Sequence, residues 1–232
     1  MLYKLINELK TVLNILKGDP NVRAVLMRSS GKHFCRGIDV SYLIQTNAEK
    51  RKIAAQVYSG HLRNFLQTMA TFNKPLVAAI HGDMVGLGVT MLPLFDVVIA
   101  QDSSTFQTPY GILGHLPEAM KIFTSTKNLK PRAITDLLYL CRKVSVNTAL
   151  DYGLISEAVN AEKFQDRADS ITKKLASLSQ QALKSMKANL RQELLARLDE
   201  QLTAEQRKLS QQWITTECQE KFKQFVNRGG EW

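Results

Sequence analysis

Apolar residues recur at helical spacing from the start of the chain. Leu2, Leu5, Ile6, Leu9, Val12, Leu13 and Leu16 fall on one face, and Gly18 followed by Asp19-Pro20 ends the run. The period then changes. Residues 22–27 form a short run rich in β-branched side chains, the pattern of a buried strand, and the residues at 29–31 and Gly37 mark a loop. A second helical stripe runs through Ile53, Val57, Leu62, Phe65 and Leu66. Residues 75–80 form a second apolar strand, residues 81–88 a glycine-rich turn, residues 89–94 a short helix and residues 96–101 a third strand. Strands that are apolar throughout, alternating with helices, predict an α/β fold whose parallel sheet is covered on both faces.

From Pro117 onward the pattern is mostly helical. Pro117 suits the first position of a helix, residues 145–152 read as a helix stopped by Gly153, and residues 155–159 as a last strand. Lys-, Gln- and Glu-rich helices are expected over 161–178, 180–195 and 204–225. No linker interrupts the chain. The expected organisation is an α/β core over 1–159 and a helical C-terminal subdomain over 160–232. Trp213, Ile214, Phe222 and Phe225 form an apolar stripe suited to core or oligomer contact.

Composition narrows the classes. The chain has 232 residues, 44% of them hydrophobic, enough for a sizeable core. No apolar run reaches the roughly 18 residues of a membrane span, so no membrane association is expected. The net charge of +10 suits an anionic partner (nucleic acid, an acidic membrane surface or a polyphosphate cofactor) or, equally, a plain solvated basic surface. The basic residues are dispersed, densest at 50–52 and 121–132, without a helix-turn-helix or zinc-finger signature. Cys35, Cys141 and Cys218 lie far apart and form no metal-ligand spacing, so no metal is expected and a reducing compartment is. The start of the chain lacks a signal-peptide pattern, and residues 230–232 are not the peroxisomal tripeptide.

Two loops carry the candidate chemistry. One is His33-Phe34-Cys35-Arg36-Gly37-Ile38-Asp39; the other is His81-Gly82-Asp83-Met84-Val85-Gly86-Leu87-Gly88, between a strand and a helix. Glycines there permit close backbone approach, and a strand-to-helix turn exposes free N–H groups. Each alone is also compatible with a plain tight turn. In order and spacing, however, the chain resembles the crotonase (enoyl-CoA hydratase/isomerase) superfamily from about Leu2 to its end. The matching stretches are Val22-Arg23-Ala24-Val25-Leu26, Phe34-Cys35-Arg36-Gly37-Ile38-Asp39, Lys74-Pro75-Leu76-Val77-Ala78-Ala79-Ile80-His81-Gly82 and Gly86-Leu87-Gly88. Leu94-Phe95-Asp96-Val97-Val98-Ile99-Ala100, Thr105-Phe106-Gln107-Thr108-Pro109-Tyr110 and Ala149-Leu150-Asp151-Tyr152-Gly153-Leu154-Ile155 follow. Two branches are most similar: the Δ3,Δ2-enoyl-CoA isomerases, and the C-terminal domain of chromodomain Y-like corepressors, which residues 106–110 and Tyr42-Leu43-Ile44 particularly resemble.

The resemblance implies a ClpP-like ββα spiral core and a helical C-terminal region that assembles trimers or dimers of trimers. It implies no required cofactor beyond a coenzyme A thioester as substrate or ligand. The family's opening strands would precede the first helix and are expected to be missing here. The N–H groups of Ile38 and Leu87 would form an oxyanion hole, with Arg36, Gly37, Asp39, Gly86, Gly88 and Tyr110 around the acyl-CoA. The hydratase carboxylate positions fall at Thr90 and Tyr110, which speaks against paired acid–base hydration. The isomerase pattern places a single base at Glu118, after Pro117; first-turn dipole stabilisation is the alternative role for that residue. The isomerases usually have Gly-Cys next, where this chain has Ala119-Met120, and a small residue where it has Arg36. His115 reads as a partly exposed loop histidine beside the site, and Asp96 as a structural residue bonding turn backbone. The leading expectation is an isomerase of a mitochondrion or peroxisome; the alternative is a nuclear CoA-binding module with chromatin corepressor partners and little turnover, and a third is an inactive scaffold.

Overall fold

The computed structural model describes residues 2–230; the expectation about the C-terminal tripeptide falls partly outside these residues. Helix α1 (Leu2–Gly18) buries Ile6 and Leu13 and packs against α2 (Ala48–Ala70), which Asn47 caps by accepting the N–H of Lys50. Between them lie β1 (Val25–Arg28), the loop with Gly37, and a 3₁₀ turn at Val40–Leu43. Strands β2 (Leu76–Ile80) and β3 (Asp83–Val85) follow, then the one-turn helix α3 (Leu87–Thr90), β4 (Val97–Gln101) and β5 (Thr105–Gln107). The short helices α4 (Tyr110–Leu113), α5 (Met120–Thr124) and α6 (Pro131–Ile134) lead through a π turn at Thr135–Tyr139 to β6 (Val144–Ser145), α7 (Val146–Tyr152) and β7 (Glu157–Val159). The chain then runs through α8 (Ala161–Ser177), α9 (Gln180–Leu190), α10 (Gln192–Ala196), α11 (Leu198–Gln212) and α12 (Thr216–Asn227).

The main sheet has the order β1-β2-β4-β7 with every pair parallel; the smaller one is β3-β5-β6, parallel and then antiparallel. In β2 every residue is buried, because each face has its own cover. Leu76, Ala78 and Ile80 enter the large core, whereas Val77 and Ala79 meet Phe164 and Ala168 of α8. The unbroken apolar run of the sequence is thus a strand covered twice, as expected.

The helices after residue 160 share the core rather than building a separate one. Leu198, Leu202, Leu209, Trp213, Cys218 and Phe222 join the same buried cluster as the strands. From α9, Lys187 Nζ donates to Asp96 Oδ2 and to the Lys74 carbonyl, both at 2.6 Å; Arg191, just beyond it, donates to Asp96 Oδ1 and to the carbonyls of Met69 and Ala70. Asp96 also accepts the Leu76 N–H at 2.7 Å, the turn-bonding role expected of it.

Three sequence expectations need correction. The helix expected over 204–225 breaks after Gln212, where Thr215 starts α12 by accepting the Cys218 N–H. Of the two roles expected for the apolar stripe, Trp213 and Phe222 take the core one and not the oligomer one, since both are fully buried within this chain. Pro117 does not begin a helix: it precedes a tight turn, and α5 starts only at Met120.

Candidate active site

Glu118 sits in that turn. The next residue, Ala119, has φ 53°, a left-handed conformation that carries the chain sharply away and leaves the carboxyl directed inward. First-turn dipole stabilisation is therefore not its role. Glu118 is 1% exposed. Its Oε2 accepts the Tyr110 hydroxyl at 2.6 Å, while its Oε1 has no partner among the described residues. Burial raises its pKa to about 8, and the Tyr110 bond pulls the other way. Thr90 Oγ1 lies 3.3 Å from the Tyr110 hydroxyl. The two positions that lack the hydratase carboxylates thus form a hydrogen-bonded chain, Thr90–Tyr110–Glu118, that ends on the Glu118 carboxyl.

His115 departs from its expectation. It is 5% exposed, not a partly exposed loop residue, because the rings of Tyr110, Trp213 and Phe222 enclose it edge-on. Its Nδ1 meets the Leu116 carbonyl at 2.8 Å, and desolvation lowers its pKa to about 4. It is neutral at pH 7, so its 3.9 Å approach to Glu118 is no ion pair.

The two glycine-containing loops run side by side. Phe34 N–H donates to the His81 carbonyl and Val85 N–H to the Cys35 carbonyl, each at 3.0 Å, and Cys35 pairs with Met84 in a parallel bridge. The backbones then meet at Gly37 and Gly86, both at positive φ; a Cβ on Gly37 would lie 3.2 Å from the Val85 carbonyl oxygen. Ile38 and Leu87 come directly after these glycines, and neither N–H donates to an acceptor among the described residues. Leu87 opens α3, where a helix leaves its first N–H groups unused. Asp39 caps the 3₁₀ turn by accepting the Ser41 N–H, and its own N–H donates to the Tyr58 hydroxyl.

A cavity of about 330 Å³ opens between these parts. Among the expected site residues, Arg36, Gly37, Ile38, Asp39, Gly86, Tyr110 and Glu118 line it. Leu87 and Gly88, although expected in the site, are not among its lining residues; Gly88 packs against Cys35, and a Cβ there would meet the Cys35 carbonyl oxygen at 2.9 Å. The Nε of Arg36 is shielded from solvent without a partner among the described residues. Phe225, Val226, Gly229 and Gly230 line it too, so α12 and the residues after it contribute to the site. Among the described residues, no three His, Cys, Asp or Glu side chains are grouped to hold a metal, and no helix is long and apolar enough to cross a membrane.

Sequence reasoning missed Glu205 and Gln212 of α11. Glu205 accepts the Ala119 N–H at 2.7 Å and Gln212 the Leu116 N–H at 2.8 Å. Their signal was faint: two polar residues seven apart, beside Leu202 and Leu209 at the same spacing.

Comparisons with known proteins give the family and the fold. A family model described as enoyl-CoA hydratase/isomerase matches residues 1–232. The mouse chromodomain Y-like protein is 28% identical over 225 residues, 97% of this chain and 38% of that protein. Human enoyl-CoA delta isomerase 2 is 29% identical over 222 residues, 96% of this chain and 56% of that protein. The chain therefore spans about two fifths of the first relative and just over half of the second. The crystal structure of an enoyl-CoA hydratase from Bacillus halodurans superposes with a TM-score of 0.87 over 96% of this chain and 89% of the other, at 19% identity, a likeness of fold.

Proposed function

The chain belongs to the enoyl-CoA hydratase/isomerase family, and from that premise we propose that it binds an enoyl-CoA thioester and moves its double bond, with Glu118 as the single base. The observation that carries this reading is Glu118 itself: a buried carboxylate in the cavity wall, one oxygen held by Tyr110 and the other unpartnered. In its ionised form Glu118 takes a proton from the carbon next to the thioester carbonyl of a 3-enoyl group. The electrons of that C–H bond pass into the conjugated system, the double bond shifts, and negative charge collects on the thioester oxygen. The N–H groups of Ile38 and Leu87 are the donors for that oxygen, and losing one such donor typically costs about 3 kcal/mol of barrier. Glu118 then returns the proton two carbons further along, which restores the carboxylate and leaves the 2-enoyl isomer. Hydration would need a second acid–base group; Thr90 and Tyr110 occupy those places and are not carboxylates.

A binding module without turnover is the second reading. It is favoured by Arg36, which lines the cavity where the isomerases usually have a small side chain. Glu118→Gln separates the two. The substitution keeps the shape of the side chain and removes the base, so turnover of a 3-enoyl-CoA should fall by on the order of 10²–10⁴-fold while acyl-CoA affinity changes little. A wild-type protein that binds acyl-CoA but never migrates the double bond, or a variant as fast as wild type, overturns the isomerase reading.

A further inference from the structure

Helix α11 holds the turn that carries Glu118 on both sides of it. Gln212 takes the N–H of Leu116, two residues before, and Glu205 takes the N–H of Ala119, one residue after. The Glu205 carboxylate also faces the N–H groups of Met120 and Lys121, the open donors at the start of α5. Glu205 and Gln212 are seven residues apart and so share a face of α11, whose Leu202 and Leu209 anchor it in the core. The turn needs such an anchor. Ala119 has a Cβ and sits in the left-handed region, which costs an L residue roughly 1–2 kcal/mol. Charge-assisted bonds to a carboxylate offset that cost better than bonds to a neutral acceptor. A half-buried carboxylate is an expensive way to hold a turn, however, since burial pushes Glu205 up to about 7.

We propose that Glu205, with Gln212 as a second point of attachment, is a positioning residue that fixes the 116–121 turn so that the free Oε1 of Glu118 faces the cavity. The proposal rests on Glu118 being the base. Glu205 has an electrostatic effect as well: its negative charge makes Glu118 harder to ionise. The other titratable groups facing Glu118 are Tyr110 of α4, His115 of the preceding loop, Cys35 of the first glycine loop, Tyr58 of α2 and Cys218 of α12. Burial keeps the phenols and thiols protonated and His115 uncharged near neutral pH. Glu205 is thus the charged neighbour among them.

The test uses Glu205→Ala, Glu205→Gln and Gln212→Ala in the full chain, with circular dichroism and Tm recorded for each. Turnover of a 3-enoyl-CoA is measured alongside a ¹³C titration of the Glu118 carboxyl, assigned by its disappearance in Glu118→Gln. Glu205→Ala should lower kcat tenfold or more with KM within about twofold, since misplacing a reacting group by 1 Å can cost on the order of 10²-fold. Gln212→Ala should lower kcat in the same sense. Glu205→Gln should recover most of the lost rate, because its amide oxygen still accepts from Ala119. Its Glu118 titration midpoint should move below that of wild type, because the like charge is gone. A folded Glu205→Ala at wild-type rate, or an unmoved midpoint in Glu205→Gln, overturns the proposal. Should Glu205→Ala fail to fold, Glu205→Gln decides through the midpoint. Should the wild-type protein bind acyl-CoA without turnover, the base assignment falls instead, and the titrations alone decide whether Glu205 acts on Glu118.

Discussion

Two opposed influences set the acid–base character of Glu118. Burial favours the neutral acid, and the hydroxyl of Tyr110 favours the carboxylate by donating to it. On the proposed reading the carboxylate is the working form, so kcat/KM should rise with pH through an acid limb near 8 in the free protein. Tyr110→Phe removes the donor and leaves the burial. The limb should then move to higher pH, and the rate at pH 7 should fall because less of the base is ionised. A pH–rate profile for the variant checks this; a limb that stays in place or moves down contradicts it. His115 is not the source of the limb, since desolvation holds it neutral above about pH 5. At this scale the role of Glu118 as base is what the pH–rate profile tests, while its place in the cavity wall was legible from the family resemblance at Pro117-Glu118. The enclosure of His115 was not, because Trp213 and Phe222, which wall it in, lie about a hundred residues away.

The glycine-containing loops were legible as elements because close backbone approach demands glycine in the sequence itself. The strands at Leu76–Ile80 and Val97–Gln101 were equally plain, since burial on both faces writes an unbroken apolar run. The break of the last helix at 213–215 was hidden, because Trp213 continues the apolar stripe across it and only the cap at Thr215 marks the restart. The role of α11 was hidden for the same kind of reason: Glu205 and Gln212 look like solvated polar residues until the turn at 116–121 is placed against them. The loop pairing itself is testable. Gly88 packs directly on the Cys35 carbonyl, so Gly88→Ala forces the two loops apart. Overpacking of this kind typically costs about 1–3 kcal/mol. The variant should unfold at lower temperature and, if the Ile38 and Leu87 N–H groups are the proposed oxyanion donors, lose turnover out of proportion to affinity, because the loops that carry them are displaced. An unchanged Tm and kcat would show that the close approach is dispensable.

At the scale of the whole molecule, the site is assembled from distant parts of one chain, and the net charge of +10 surrounds it. The loop with Arg36, the turn with Glu118 and the residues from Phe225 to Gly230 meet only when α12 folds back on the 3₁₀ turn at Val40–Leu43. If the ligand is a coenzyme A thioester, as proposed, its phosphates would gain from the positive net charge at long range and from Arg36 at the cavity wall. The two contributions respond differently to salt. Exposed charges are screened beyond a Debye length of about 10 Å at 0.1 M salt, whereas a partly buried pair is screened much less. Titration of CoA at low and high ionic strength should therefore show affinity falling with salt. Arg36→Ala should weaken binding at every salt concentration while leaving most of the salt dependence in place, because its Nε is shielded from solvent and the dispersed surface charges remain. Binding that is indifferent to salt would remove the charge argument. A variant that binds CoA as tightly as wild type would reduce Arg36 to a wall of the cavity and favour the view that the guanidinium narrows the site.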